Sequence, residues 1–166
     1  MGKLHQLKLS KANLTIFSFL FFTLISYAQY SNEYSMYNKL YPDSRKVRLN
    51  QETIITIKLV NGKFDILQEF TEEDLYLNES ATYNSKRALR FSSFFELDKI
   101  KASSFSYEKG KYKEIEVKNF ITKDDLNQSF YDDTKVLNFI YPNLKKGAKS
   151  KLYYSEKVKD PRFISP

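Results

Sequence analysis

Cysteine and tryptophan are absent from the 166-residue chain, and its one histidine, His5, lies in an N-terminal segment marked for removal. Those gaps exclude most familiar site chemistries from the rest of the chain. Without an imidazole, no Ser-His or Cys-His arrangement can take a nucleophile's proton, and without Cys or His the usual zinc sites have no ligands. A carboxylate pair is what could still act. Without cysteine no disulfide restrains the unfolded chain either, so stability must rest on a packed core. Glycine and proline occur four times each, and most of them punctuate the pattern described below.

The segment for removal is legible from its own chemistry. Lys3, Lys8 and Lys11 form a positive start, and Ala12 to Ser26 then runs uncharged through nine large apolar residues, from Leu14 to Ile25. Spanning a bilayer takes about 20 apolar residues, and this run stops sooner. It leads into Ser26-Tyr27-Ala28, with small residues at the −3 and −1 positions of a signal-peptidase site. Cleavage after Ala28 would leave Gln29 first, with residues 1–28 as the signal peptide and no stable membrane span afterwards. The competing reading is an uncleaved anchor; a lipoprotein would need a cysteine. The expected localisation is exported, either periplasmic or secreted.

Removing residues 1–28 leaves 138 of 166 residues, the size of one ordinary domain. Losing three lysines lowers Lys+Arg from 27 to 24 against 20 acids, and the net charge from +7 to +4. The lysines alternate with acids, as in Lys109 to Lys118, and no run of like charge marks a nucleic-acid groove.

Alternation with period two dominates what remains. Ile55, Ile57 and Leu59 face one way and Thr56 and Lys58 the other; Asn61-Gly62 then makes a hairpin turn into Phe64, Ile66 and Leu67. Further strands are expected at Ala88 to Leu97, Ile100 to Tyr107, Tyr112 to Ile121, Val136 to Tyr141 and Lys151 to Val158. Turn chemistry at Lys109-Gly110-Lys111 and from Pro142-Asn143 to Gly147 separates them. The expected fold is therefore mainly β: an antiparallel β-sandwich over 46–166 with one or two short helical turns, preceded by the signal peptide and an N-terminal extension at 29–45.

Thr71-Glu72-Glu73-Asp74 and Thr122-Lys123-Asp124-Asp125 have the Thr-x-x-acid form of a helix cap and predict single helical turns. Tyr30, Tyr34, Tyr37 and Tyr41 recur at helical spacing. Such a stripe more often packs against a core than forms a platform for sugar rings. Asp132-Asp133 and Asp124-Asp125 could hold calcium or act as acid and base, but acidic doublets serve turns more often and no EF-hand spacing surrounds them. The sequence therefore assigns no catalytic, cofactor or metal residues. As a candidate interaction surface it nominates Tyr131, Asp132, Asp133, Tyr141 and Tyr153.

Several segments together resemble a known family. They are Tyr41-Pro42-Asp43-Ser44 before a strand, Ile100-Lys101-Ala102-Ser103, Phe130-Tyr131-Asp132-Asp133, and Phe139 to Ala148 leading into Leu152-Tyr153-Tyr154. In this order the chain is similar to DUF3857, a domain of unknown function that precedes transglutaminase-like domains in exported proteins of Gram-negative bacteria. The resemblance spans about Tyr41 to Pro166 and rests mainly on the Tyr-Pro-Asn-Leu-x-x-Gly segment. It implies a β-sandwich module with no catalytic residues of its own, attached to an enzyme domain that carries the chemistry. Family members continue past the position of Pro166, so the resemblance also implies a truncated member whose last strand, Lys151 to Val158, would lie at a sheet edge without its neighbour.

The function expected from these readings is a non-catalytic exported module, accessory to a transglutaminase-like domain or to a cell-envelope protein. A carbohydrate-binding module is the first alternative, since 12 of 13 tyrosines survive signal removal; its partner would be an envelope glycan. A carboxylate-only hydrolase is the second, and needs two acids converging in a cleft.

Overall fold

In a computed structural model, residues 30–125 and 133–164 are described. They form two antiparallel sheets, one α-helix and two short 3-10 helices, Glu79–Ser85 and Pro161–Phe163. The chain opens with α1 (Asn32–Leu40), followed by β1 (Lys46–Val60) and β2 (Lys63–Tyr76), which pair from Lys46↔Tyr76 to Val60↔Lys63. The turn between them has φ of 51° at Asn61 and 77° at Gly62. Two successive positive φ values suit the right-handed twist of the strands they join, which is why Asn-Gly serves so well here. Lys109 and Gly110, at 50° and 81°, do the same between β4 (Phe95–Glu108) and β5 (Lys111–Glu116).

The other strands are β3 (Lys86–Phe91), β6 (Phe120–Asp124), β7 (Lys135–Ile140) and β8 (Lys149–Val158). The larger sheet runs β1-β2-β8-β4-β5 and the smaller β3-β7-β6. Two expected strands, Ala88 to Leu97 and Tyr112 to Ile121, are each broken in two, because at those points the chain leaves one sheet for the other. The first break is a serine turn. Ser92 N donates to Phe95 O, and Ser92 Oγ accepts from the amides of Phe94 and Phe95. At the second break Val117 is buried and its N–H bonds Ala102 O, so residue 118 must start a new direction.

Position in the sheet corrects another expectation. Lys151 to Val158 does not lie at an edge: β8 is the central strand, paired with β2 from Ile66↔Val158 to Leu75↔Lys149 and with β4 from Phe95↔Val158 to Phe105↔Lys149. The last strand in sequence inserts between two earlier ones. Leu152, 1% exposed, stands at the middle of the core. The core joins Tyr76, Ala102, Val117 and Leu152 of the larger sheet side to Leu137 and Phe139 of the smaller, while Tyr141, Leu144 and Ala148 close one end. Burying each large apolar side chain fully is worth about 1.5–3 kcal/mol, so this cluster carries the sandwich.

A second, smaller core lies on the opposite face of the large sheet. Helix α1 is capped by Ser31 Oγ, which accepts from Tyr34 N at 3.0 Å, with Glu33 in its first turn. Tyr34 is buried against Leu75 and Leu77, and its hydroxyl donates to Leu77 O at 3.1 Å. Three of the four striped tyrosines pack against the sheet: Tyr30 stacks on Tyr34 at 4.5 Å and Tyr37 joins the same cluster, while Tyr41, 49% exposed, only stacks on Tyr37 from the solvent side. The two Thr-x-x-acid segments, by contrast, are not helical. Thr71 to Asp74 belongs to β2 and is paired on both sides, by β1 and β8; Thr122 to Asp124 belongs to β6. Ladder bonds, from both neighbours for β2 and from β7 for β6, outweigh the local capping preference.

Candidate interaction surfaces and the interior charge cluster

Alternation along β2 turns Glu72, Asp74 and Tyr76 toward the smaller sheet, and their neighbours there are charged. Lys46 Nζ lies 2.6 Å from Asp74 Oδ2, and Arg48 Nε donates to Asp74 Oδ1. Glu72 is gripped from two strands: Arg48 Nη2 reaches Oε2 at 2.8 Å and Arg87 Nη2 reaches Oε1 at 3.0 Å. Three cations thus enclose two carboxylates and tie β1 of one sheet to β3 of the other. The hydroxyls of Tyr76 and Ser150 lie 3.2 Å apart beside them. One donor, Arg87 Nε, is buried without a partner among the described residues. Carboxylates held this way serve cohesion, because cations occupy the lone pairs that a base would use.

Sequence reasoning passed over Glu156. It follows Leu152 and Tyr154 at the same period and precedes Val158, so the alternation itself points a carboxylate inward. Gln68 of β2 and Leu97 of β4 are its cross-strand partners. Burial alone pushes its pKa up to about 7, the range of a general acid. It lines neither of the two larger cavities described below.

The nominated surface residues fall in different places. Ala28, Gln29, Tyr131 and Asp132 lie outside the described residues. Asp133 is exposed, and its Oδ2 accepts from Ser93 N at 2.8 Å, bracing the β3–β4 turn; hydrogen bonding from Ser93 holds its pKa low. Tyr141 does not reach solvent. It is 3% exposed and meets Phe139 edge-on at 5.3 Å, because it closes the end of the sandwich. Tyr153 stands on the outer face of β8, donating to Glu69 Oε1 at 2.7 Å, and that bond raises its pKa. Asp133 and Tyr153 therefore share no surface. Asp125 is paired with Arg90 at 2.9 Å, and the described residues hold no cluster of three metal-ligating side chains.

Two surfaces stand out instead. Pairing with β8 ends at Ile66, so the tip of the β1–β2 hairpin projects as a two-stranded ribbon. It exposes Ile57 (53%), Leu59 (69%), Val60 (49%) and Phe64 (60%). The second surface is a cavity of about 860 Å³ where the end of β5 meets the smaller sheet, lined by Lys86, Lys118, Ile121, Lys123, Asn138 and Ile140 among others. A third, about 460 Å³, lies near Val117, Phe120, Lys151 and Tyr153. No helix among the described residues is long and apolar enough to cross a membrane.

No protein family and no curated protein matches the chain. Among solved structures it is similar to a protein of Parabacteroides distasonis described as a "putative protease", with a TM-score of 0.54 and 15% sequence identity. The match covers 69% of this chain and 23% of that one. At this identity the likeness is one of fold, and the chain corresponds to less than a quarter of the longer protein.

Proposed function

We propose that this chain is a non-catalytic, exported β-sandwich module that works by docking, accessory to a transglutaminase-like domain of the DUF3857 type of arrangement or to a cell-envelope protein. The observation that carries this reading is the hairpin ribbon. Ile57, Leu59, Val60 and Phe64 lie about half exposed or more at the end of two strands with no third strand beside them, and an apolar patch of that kind on a folded domain marks a contact surface. The fold match points the same way, since this sandwich corresponds to one part, 23%, of a longer protein. The interior carboxylates Glu72 and Asp74 are already neutralised by cations.

The reading is tested by titrating the purified protein with a transglutaminase-like domain encoded in the same genome. Saturable binding that is lost in the Ile57→Ser/Leu59→Ser/Phe64→Ser variant, with its melting curve kept, is the expected result. Equal binding by wild type and variant would sink it. Export is tested by mass spectrometry of the secreted protein, with Gln29 expected at the N-terminus; a product still carrying Leu14 to Ile25 would overturn it.

A second reading, a carboxylate hydrolase, rests on Glu156, a single buried acid that lines neither larger cavity, whereas two acids converging in a cleft are needed. It requires glycoside- or ester-hydrolysing activity that disappears in Glu156→Gln. The docking reading expects background rates from both proteins.

A further inference from the structure

The cavity at the end of β5 brings three features together in one concave site. The first is charge. Lys86, Lys118 and Lys123 line it, with Glu116 the acid on its wall. Elsewhere, Lys46, Lys149, Lys157 and Lys159 each have a carboxylate within 4 Å. Among the described residues, Lys86, Lys118 and Lys123 make no ion pair. The second feature is apolar. Ile121 and Ile140, both 58% exposed, lie on adjacent strands β6 and β7; Ile121 faces Asn138, two residues from Ile140, so the two isoleucines are diagonal neighbours on one face. The third is backbone. β5 pairs only with β4 and β6 only with β7 among the described strands, so both strands beside the cavity present an open edge.

An open edge offers main-chain N–H and C=O groups to an incoming extended chain, and alternate side chains of that chain then meet the flanking surface. Unpaired lysines around isoleucines select what those side chains are: acids to meet the ammonium groups, apolar residues to cover Ile121 and Ile140. The amides of Asn119 and Asn138 add donors and acceptors on the same wall. We propose that this cavity is a docking groove for an extended acidic peptide segment carrying apolar side chains at alternate positions. The groove and the hairpin ribbon are separate surfaces, so this inference stands independently of the docking partner proposed above.

The test is fluorescence anisotropy on the purified protein with a labelled, end-blocked peptide alternating glutamate and valine, against its lysine–valine counterpart and against heparin. The acidic peptide should bind saturably, more weakly as salt is added, and the lysine peptide should not bind. Lys86→Glu/Lys123→Glu should weaken binding by roughly tenfold or more, since it turns two attractions into two repulsions. Ile121→Ser/Ile140→Ser should also weaken it, and both variants, altered only on exposed positions, should keep the wild-type circular dichroism spectrum. No saturable binding of the acidic peptide would overturn the proposal, as would unchanged binding by either variant. Heparin binding as tightly as the peptide and indifferent to Ile121→Ser/Ile140→Ser would also overturn it, by assigning the lysines to a general polyanion surface.

Discussion

Replacing Glu156 by glutamine should make the protein more stable, and only above a definite pH. In the fold its pKa is near 7, against 4.5 when exposed, with burial as the cause. Between those values the folded state holds a proton that the unfolded state has released. Raising the pH through this window therefore favours unfolding: the contribution is fully present below about 4.5 and is lost as pH passes 7. The gap corresponds to about 3 kcal/mol, a large share of the 5–15 kcal/mol typical of a domain. Glutamine has the same shape and no charge to desolvate, so the variant lacks this loss. Urea unfolding of both proteins, followed by circular dichroism at steps from about pH 4 to pH 8.5, isolates the effect as a difference curve. The curve should be flat below about 4.5, climb by about 3 kcal/mol and level off above about 7. A difference independent of pH would refute the reasoning, and so would one whose rise is centred near 4.5, since an exposed carboxylate titrates there.

Other substitutions test the packing. Asp74→Ala leaves Lys46 and Arg48 facing each other without their shared carboxylate; since both cations keep some solvent, the expected cost is about 2–3 kcal/mol by urea melt. Gly147 has φ of +78°, and a Cβ there would come within 2.6 Å of the Tyr30 ring. Gly147→Ala should thus cost about 1–3 kcal/mol, and Tyr30→Ala in the same chain should return part of it. Leu152→Ala opens a hole at the centre of the core and should cost about 2–5 kcal/mol; a loss under 1 kcal/mol would contradict the central place of β8.

How much of the site was legible follows from what each signal measures. Glu156 was in plain view at an inward position of an alternating strand, yet its significance depends on Phe95, Leu97 and Val158 closing around that end of the sheet. Tyr141 was nominated for an interaction surface as the last residue of the expected strand Val136 to Tyr141. It is buried because the Pro142 to Gly147 turn folds it over the end of the core, where Ser104 donates to Pro142 O. The ion cluster joins residues from three strands, Lys46 and Arg48, Glu72 and Asp74, and Arg87. No local spacing relates them.

Features that depend on neighbours along the chain were legible from residue order alone. Positive φ at Asn61-Gly62 and at Gly110 follows from residue type, and so does the packing side of α1 that carries Tyr34 and Tyr37. Period-two alternation likewise marks which side of each strand is buried. Alternation says nothing about which strand lies across the hydrogen bonds, because every strand offers the same backbone donors and acceptors. Tertiary structure alone therefore decided that β8 enters between β2 and β4, that the chain changes sheets at Ser92 and again after Val117, and that Thr71 continues a strand. Those choices are settled by the joint burial of Leu152, Ala102, Leu137 and Phe139, a sum over distant residues in which each local preference is a small term.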